Sequence, residues 1–528
     1  MSERHGANFD TFEIKARPYD FVPAERRPAP DPEYWPQTKA ANDNGEGAPE
    51  RILFWLFIAG LAWVPFLYGS NVLLAWGINA LIFPGLVMVY EISLLIRGRG
   101  HPVALRHIWL PAMLFVAVVL WIVVQNATWT PASWQHPIWE MTAQALQRPV
   151  SGSISVDRDL TTQGLIRLLT SASVLWLSMQ LCRDYARAVT LLTAFGAIVC
   201  VYSLYGIVAY SLQGSSSLTW FGDTATLGFV NSTFYNRDHF ATFAGLGLVA
   251  VCGAILKYYR DQITMVGGYL RHRVGAAIEA TAKKGAVLDG AAFITLVALL
   301  MSGSRGGVLA TGLGLAVLLL LYFGRNSPKR RETAGLSVKF AASLFLVAIA
   351  IAITLMFGDT LFGKISGQGF TDENRMAVYV ITFRSVLTAP FFGFGYGTFA
   401  DVFPMFRDRS VPVQGVWEQA HNTYLEVWQG LGVVFGTMLI VCVVLLVLAV
   451  VKGALKSHRG AWVCCVGASV SLLIGAHAIV DFSLQIQAIT ISFMALLGAA
   501  VAQSVSSRVS LSDWGGLVSQ ALGTSEWS

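Results

Sequence analysis

Twelve stretches of this chain are continuous runs of apolar residues, each long enough to cross a lipid bilayer as a helix, and that feature limits the fold more than any other. They cover residues 52–68, 71–96, 107–125, 163–182, 187–212, 239–256, 286–303, 306–323, 338–357, 423–451, 461–480 and 484–503. At 1.5 Å per residue, about 20 residues span the roughly 30 Å of hydrocarbon in a membrane. Only helices and closed barrels satisfy their own backbone there. The runs are rich in Leu, Val and Ala and lack period-two alternation, which predicts helices and not barrel strands. Hydrophobic residues make up 55% of the 528 positions and charged residues 13%, against about 25% charged in a soluble domain. The expected fold is all-α: a polytopic membrane bundle of about 12 transmembrane helices.

The charges predict how the chain threads the membrane. Residues 1–50 hold seven of the eighteen prolines and read as a disordered cytoplasmic tail. No short apolar core follows a basic start, so the first run is expected to be an uncleaved anchor and not a signal peptide. With that tail cytoplasmic, successive internal loops on the same side carry Arg97, Arg99 and Arg106; Arg183 and Arg187; Lys257, Arg260, Arg271, Arg273, Lys283 and Lys284; Arg325, Lys329, Arg330, Arg331 and Lys339; and Lys452, Lys456 and Arg459. This is the positive-inside pattern. It accounts for the net charge of +6 without a nucleic-acid partner. The expected organisation is a tail at 1–50, a membrane body at 51–505 and a second cytoplasmic tail at 506–528. Residues 126–162, 213–238 and 358–422 then form long outer segments. The last is the largest and is expected to pack on the bundle, because long ordered loops commonly carry function.

The six cysteines sit inside or at the ends of apolar runs, and no pair has zinc-site spacing. No disulfide framework, structural zinc or other metal is expected, and no cofactor. Gly358 to Lys364 reads G-x-x-x-x-G-K, but Ile365 stands where a P-loop needs Ser or Thr. The tryptophans at 129, 134, 139, 220 and 417 can serve as interfacial anchors or as sugar platforms.

Against that background the outer-face polar residues stand out. Arg305 lies in Ser302-Gly303-Ser304-Arg305-Gly306-Gly307, a very short turn between two runs, and Arg237 lies in Asn231-Ser-Thr-Phe-Tyr-Asn236-Arg237-Asp238-His239. Each arginine can snorkel to water or hold a phosphate by paired hydrogen bonds. His421 and Asn422 precede the tenth run, where a helix N-terminus favours negative charge. His421 can be a base, a donor to phosphate or a cap. Asp481 is expected to close the eleventh helix on the outer side, with His477 one turn before it on the same helical face. Its carboxylate can orient an arginine or histidine, or cap the next helix.

These motifs, in this order, resemble the O-antigen ligase and O-antigen polymerase family of GT-C type membrane glycosyltransferases. The resemblance rests on Ser302-Gly-Ser-Arg305-Gly-Gly; on Glu373-Asn-Arg375 through Pro390-Phe-Phe-Gly393-Phe-Gly395-Tyr-Gly397-Thr-Phe399 in the large outer loop; and on His421-Asn422-x-x-Leu425 with Gly430 and Gly432 after it. It covers about residues 225–500. It implies a multi-pass protein of the bacterial inner (cytoplasmic) membrane, in lipopolysaccharide or other polysaccharide biosynthesis, with its active site facing the periplasm. The donor would be a glycan on undecaprenyl pyrophosphate. The acceptor would be a hydroxyl on lipid A core, a glycan or a protein. Transfer would be metal-independent and inverting. The resemblance assigns catalytic roles to His421, Arg305 and Arg237, and substrate contacts to Asp481, Arg375, Asn422 and His239. The alternatives are a polytopic transporter or flippase for envelope polysaccharide, and a non-catalytic scaffold subunit.

Overall fold

The computed structural model describes residues 48–212, 228–266, 275, 279, 281–324, 373–411, 416–456 and 459–505. Of the anticipated tails at 1–50 and 506–528, residues 1–47 and 506–528 lie outside the described residues, as do the ninth run at 338–357, the Gly358–Lys364 segment and Trp220, while residues 48–50 open the first helix. Fourteen α-helices are present among the described residues, and no strand: α1 (Ala48–Trp63), α2 (Leu73–Ile96), α3 (Trp109–Asn126), α4 (Ile138–Leu146), α5 (Arg158–Leu181), α6 (Tyr185–Ser211), α7 (Arg237–Val266), α8 (Ala286–Met301), α9 (Arg305–Gly324), α10 (Glu373–Thr388), α11 (Phe399–Phe406), α12 (Thr423–Leu455), α13 (Ala461–His477) and α14 (Gln487–Ser504). Each of the other eleven apolar runs is a helix. Eight are long and apolar enough to cross a membrane, and α8 and α13 are shorter apolar helices. The protein is a polytopic helical membrane bundle.

Burial sorts the helices into layers. The spanning windows of α7 and α14 are 83% buried, whereas those of α2, α3 and α12 are 22% buried and turn their apolar side chains outward. The reason is side-chain size. In lipid there is no hydrophobic gain from pairing helices, so small residues that allow close backbone approach select the central ones. On α14, Gly498 lies so near α5 that a Cβ there would stand 2.6 Å from the Leu175 carbonyl, and the Ser178 hydroxyl donates to the Ala495 carbonyl at 2.6 Å.

Among the described residues, Arg97, Arg183, Arg187 and Arg459, all assigned to one face, lie at helix ends on one side of the bundle. Arg97 at the end of α2 and Arg187 at the start of α6 both reach Glu50 of α1, at 2.8 and 3.6 Å. Arg183 donates to the carbonyls of Ala502 in the last turn of α14 and Val505 just after it, and Arg459 lies over the Tyr185 ring. The starts of α7, α9 and α12 lie at the opposite end.

The large outer loop is not a separate unit. Its described part forms α10, α11 and a glycine-rich segment that plugs into a break in α12. At Gly432 (φ 77°, ψ 165°) α12 kinks, which strips the preceding carbonyls of helical partners. Each finds a replacement: Phe394 N–H donates to Gln429, Gly395 N–H and the Gln125 side chain to Gly430, and the Trp121 indole to Leu431, at 3.0, 3.0, 2.7 and 3.0 Å. In return Val433 N–H donates to the Pro390 carbonyl at 2.7 Å. Irregular backbone inside a membrane bundle survives only when satisfied in this way. Glycine is required at the contact. A Cβ on Gly393 (φ 66°) would meet the Gly430 carbonyl at 2.4 Å, and one on Gly432 would meet that of Phe391 at 2.4 Å.

Candidate functional site

Three turns at this end of the bundle bring the site residues together. The first is the start of α12. His421 adopts a left-handed backbone conformation (φ 53°) just before it, a geometry that costs about 1–3 kcal/mol for a residue other than glycine and is held by its surroundings. Asn422 is the N-cap, its Oδ1 accepting from the amides of Tyr424 and Leu425 at 3.1 Å each. Thr423 N–H donates to the Ala478 carbonyl at 3.0 Å, and the Tyr379 hydroxyl of α10 donates to the His421 carbonyl at 2.9 Å. The connection is therefore tied to α13 and to the outer loop at once. Asn422, expected as a substrate contact, has this capping job in the fold.

The second turn follows α13. That helix ends at His477, so Asp481 lies in the link to α14 and does not close the helix. Asp481 is 2% exposed. Three imidazole nitrogens face its carboxylate: His477 Nδ1 at 3.8 Å, His239 Nε2 at 3.9 Å and His421 Nδ1 at 3.9 Å. The Ser483 hydroxyl donates to it directly. The cap of α14 is Ile486, without a side-chain hydrogen bond, so the capping alternative for Asp481 is not what the structure contains. Burial alone would raise the Asp481 carboxyl, but His239, His477, Ser483 and His421 outweigh it and hold the group below the ordinary carboxylate range. His421 goes the other way: burial, then the nearby Arg375 guanidinium, lower its imidazole to about 4 against the pull of Asp481. At neutral pH the site thus contains a buried carboxylate facing a neutral imidazole.

The third turn is Ser302–Ser304, between α8 and α9. Ser304 Oγ accepts from Gly307 N–H at 3.1 Å and caps α9, leaving Arg305 in its first turn and exposed. Among the described residues Arg305 forms no hydrogen bond or ion pair. The glycines explain the motif: a Cβ at Gly306 would lie 2.9 Å from His477 Nε2, and one at Gly307 would lie 2.6 Å from the Ala241 methyl of α7. Arg237, the first residue of α7, stacks its guanidinium 3.8 Å from the Phe229 ring centroid. A Cβ on Gly303 (φ 64°) would stand 2.4 Å from that ring and 3.5 Å from Arg237 Nη1.

The predicted residues thus form a connected series. Arg237 lies against the Gly303 turn, that turn leads through Arg305 and Gly306 to His477, and His477 leads through Asp481 to His239 and His421. Arg375 reaches the same place from α10, its Nη1 3.4 Å from the Val480 carbonyl.

Sequence reasoning did not single out Phe482, Thr242 or Ser483. Phe482 meets His239 and His421 edge to face, at 4.5 and 4.7 Å between centroids, and so sets both ring planes. Thr242, one turn after His239, lies 2.8 Å from His477 Nδ1 and 3.0 Å from Ser483 Oγ. No motif marks these residues; only the spacing of Thr242 from Asp238 and His239 on one helix hinted at a shared face. Trp417 lies beside the His421 ring at 5.5 Å, as a wall of the site, whereas Trp129 is 73% exposed.

Three buried polar atoms in the cluster lack hydrogen-bond partners: Asp481 Oδ1, His421 Nδ1 and His239 Nε2. Buried polar atoms are normally paired, so this gap is where a ligand hydroxyl, proton or water fits. Among the described residues no set of three or more His, Cys, Asp or Glu side chains is arranged to hold a metal ion.

No curated protein matches the chain. Residues 290–441 match the family described as O-antigen ligase. The match takes in Arg305, Arg375 and His421, while Arg237, His239 and Asp481 flank it. This is the family that the sequence motifs resemble, and the match spans 152 of the 528 residues.

Proposed function

We propose that the protein transfers a glycan from undecaprenyl pyrophosphate to an acceptor hydroxyl at the periplasmic face of the inner membrane, without a metal and with inversion at the anomeric carbon. The observation that carries this reading is the continuous series from Arg237 through the Arg305 turn to Asp481 and His421. It provides cationic groups on one side and an acid–base pair on the other.

In this reading the acceptor oxygen forms a bond to the anomeric carbon as the bond from that carbon to the pyrophosphate oxygen breaks. Attack from the face opposite the leaving group inverts the centre. Arg237 and Arg305 stabilise the departing pyrophosphate, and fixed donors of this kind are worth about 10²–10³ in rate each, by analogy with oxyanion holes. The hydroxyl proton passes to neutral His421, whose unpartnered Nδ1 faces Asp481 Oδ1. The carboxylate then stabilises the imidazolium that forms. Arg375 and His239 line the approach, Arg375 facing the glycan or phosphate and His239 keeping the carboxylate in position.

The experiment is reconstitution. Purified protein, given a glycan on undecaprenyl pyrophosphate and an acceptor, is expected to release undecaprenyl pyrophosphate with matching glycosylated acceptor. Full transfer by Arg305→Ala would remove the role assigned to that guanidinium. In a deletion strain, full-length chains left on the carrier indicate a ligase, and single repeat units indicate a polymerase.

A further inference from the structure

A second polar feature lies behind the cluster, and the mechanism above makes no use of it. Between α5 and α12, backed by α13 and α14, is a cavity of about 340 Å³, within the size range of small-molecule sites. At one end are Arg167, Tyr396, Glu426 and Gln485, and at the other are Val443, Val444, Val447 and Leu448 with Phe493 and Met494. Val444 and Leu448 are 46% and 40% exposed, so the apolar arm opens sideways onto the lipid-facing surface of α12. Thr423 and Gln485 connect the polar end to the site described above: the Thr423 hydroxyl is 3.1 Å from Gln485 Oε1 and 3.4 Å from the Asp481 carbonyl.

Arg167 is the unusual member. It sits in the third turn of α5, its guanidinium carbon 4.3 Å from the Trp76 ring centroid and its Nη2 3.8 Å from where a Cβ on Gly397 would stand. Its Nε is buried without a hydrogen-bond partner. Among the described residues it makes no ion pair within 4.0 Å. Glu426 shares the cavity wall, but its carboxylate accepts from Ala420 N–H at 3.0 Å and from the Gln485 side chain. A guanidinium at membrane depth is costly unless an anion or a polar surface meets it. A phosphate matches what is missing, offering charge and several acceptor oxygens to a planar donor.

We propose that this cavity binds one phosphate-bearing lipid, entering sideways along α12, with its phosphate on Arg167 and its first hydrocarbon segment against Val443, Val447 and Phe493. The site is distinct from the Arg237 and Arg305 turn and stands whether or not the glycan-transfer reading does. Anionic glycerophospholipids and polyprenyl phosphates share this chemistry, and the experiment distinguishes them.

Delipidated full-length protein in mild detergent is titrated with undecaprenyl phosphate and, separately, with phosphatidylglycerol, and complexes are read by native mass spectrometry. The expected result is one bound lipid per protein that depends on Arg167, with at least one probe, the tighter one identifying the lipid class. Arg167→Gln is expected to weaken it tenfold or more, and Val444→Trp, which fills the lateral opening, to do the same. Arg167→Lys is expected to retain part of the binding. Thermal melting of each variant separates lost binding from lost folding. No lipid bound with either probe, or wild-type affinity in folded Arg167→Gln, would overturn the proposal.

Discussion

His421 Nδ1 and Asp481 Oδ1 face each other at 3.9 Å, and both are buried atoms without a hydrogen-bond partner. The gap is too long for a direct hydrogen bond and short enough for strong electrostatic coupling. His421 is the more open of the two, with 19% of its side chain exposed against 3% for Asp481. That asymmetry suits a pair in which the imidazole meets the substrate and the carboxylate supports it from behind. Asp481→Asn keeps the shape and removes the charge. It is expected to lower glycan transfer on the order of 10²-fold while the protein still folds. Product formation and thermal melting in detergent check both halves, and unimpaired transfer would end the supporting role.

Arg305 is exposed and Arg237 is stacked on Phe229, so their alanine variants are expected to differ in kind. Arg305→Ala is predicted to leave the melting temperature unchanged and to reduce turnover by roughly 10²–10³. Arg237→Ala is predicted to reduce turnover similarly and also to loosen the Phe229–Gly303 contact, with a measurable drop in stability. Equal melting temperatures for the two variants would contradict the packing role of Arg237.

The lowered His421 value has a defined pH consequence. Its folded value, about 4, lies below the ordinary 6.5, so between those values the unfolded chain takes up a proton that the folded chain refuses. This contribution to stability is complete above about pH 6.5 and is lost as pH falls toward 4. Activity that depends on the neutral imidazole is expected to persist below pH 6.5, with no inflection there from His421. Groups facing it include Arg375, Asp481, His239 and Asp238. Comparing rate profiles of wild type and His421→Asn between pH 5 and 8 tests this, and a wild-type inflection near 6.5 that the variant loses would contradict it.

The kink in α12 makes a prediction about folding. Gly393→Ala and Gly432→Ala each place a methyl against a backbone carbonyl at a positive φ. The strained conformation alone costs about 1–3 kcal/mol. Gln125→Ala leaves the Phe392 carbonyl without its side-chain donor and takes one of two donors from Gly430, at about 1–3 kcal/mol for a buried group left unsatisfied. All three are expected to lower the yield of monodisperse protein and its melting temperature, the glycine variants more than Gln125→Ala. Wild-type stability in Gly432→Ala would show that the break in α12 does not require glycine.

What the sequence determined by itself was the class of fold and the end of the bundle to search. Hydrocarbon thickness and the need to satisfy the backbone act on each apolar run separately, so local composition is enough to place the helices, and the basic residues mark one set of their ends. The Ser302–Gly307 turn and the His421–Asn422 start were legible for the same reason, because capping and tight turns are decided within a few residues. The tertiary structure alone decided which polar residues meet. His239 lies on α7, His477 ends α13 and His421 precedes α12, and their convergence on Asp481 depends on how small residues let the helices, α7, α9 and α13 among them, approach. The same holds for Gly393 and Gly432. Their need for glycine comes from a loop entering a broken helix some forty residues away, and no local rule of sequence reports a steric contact at that distance.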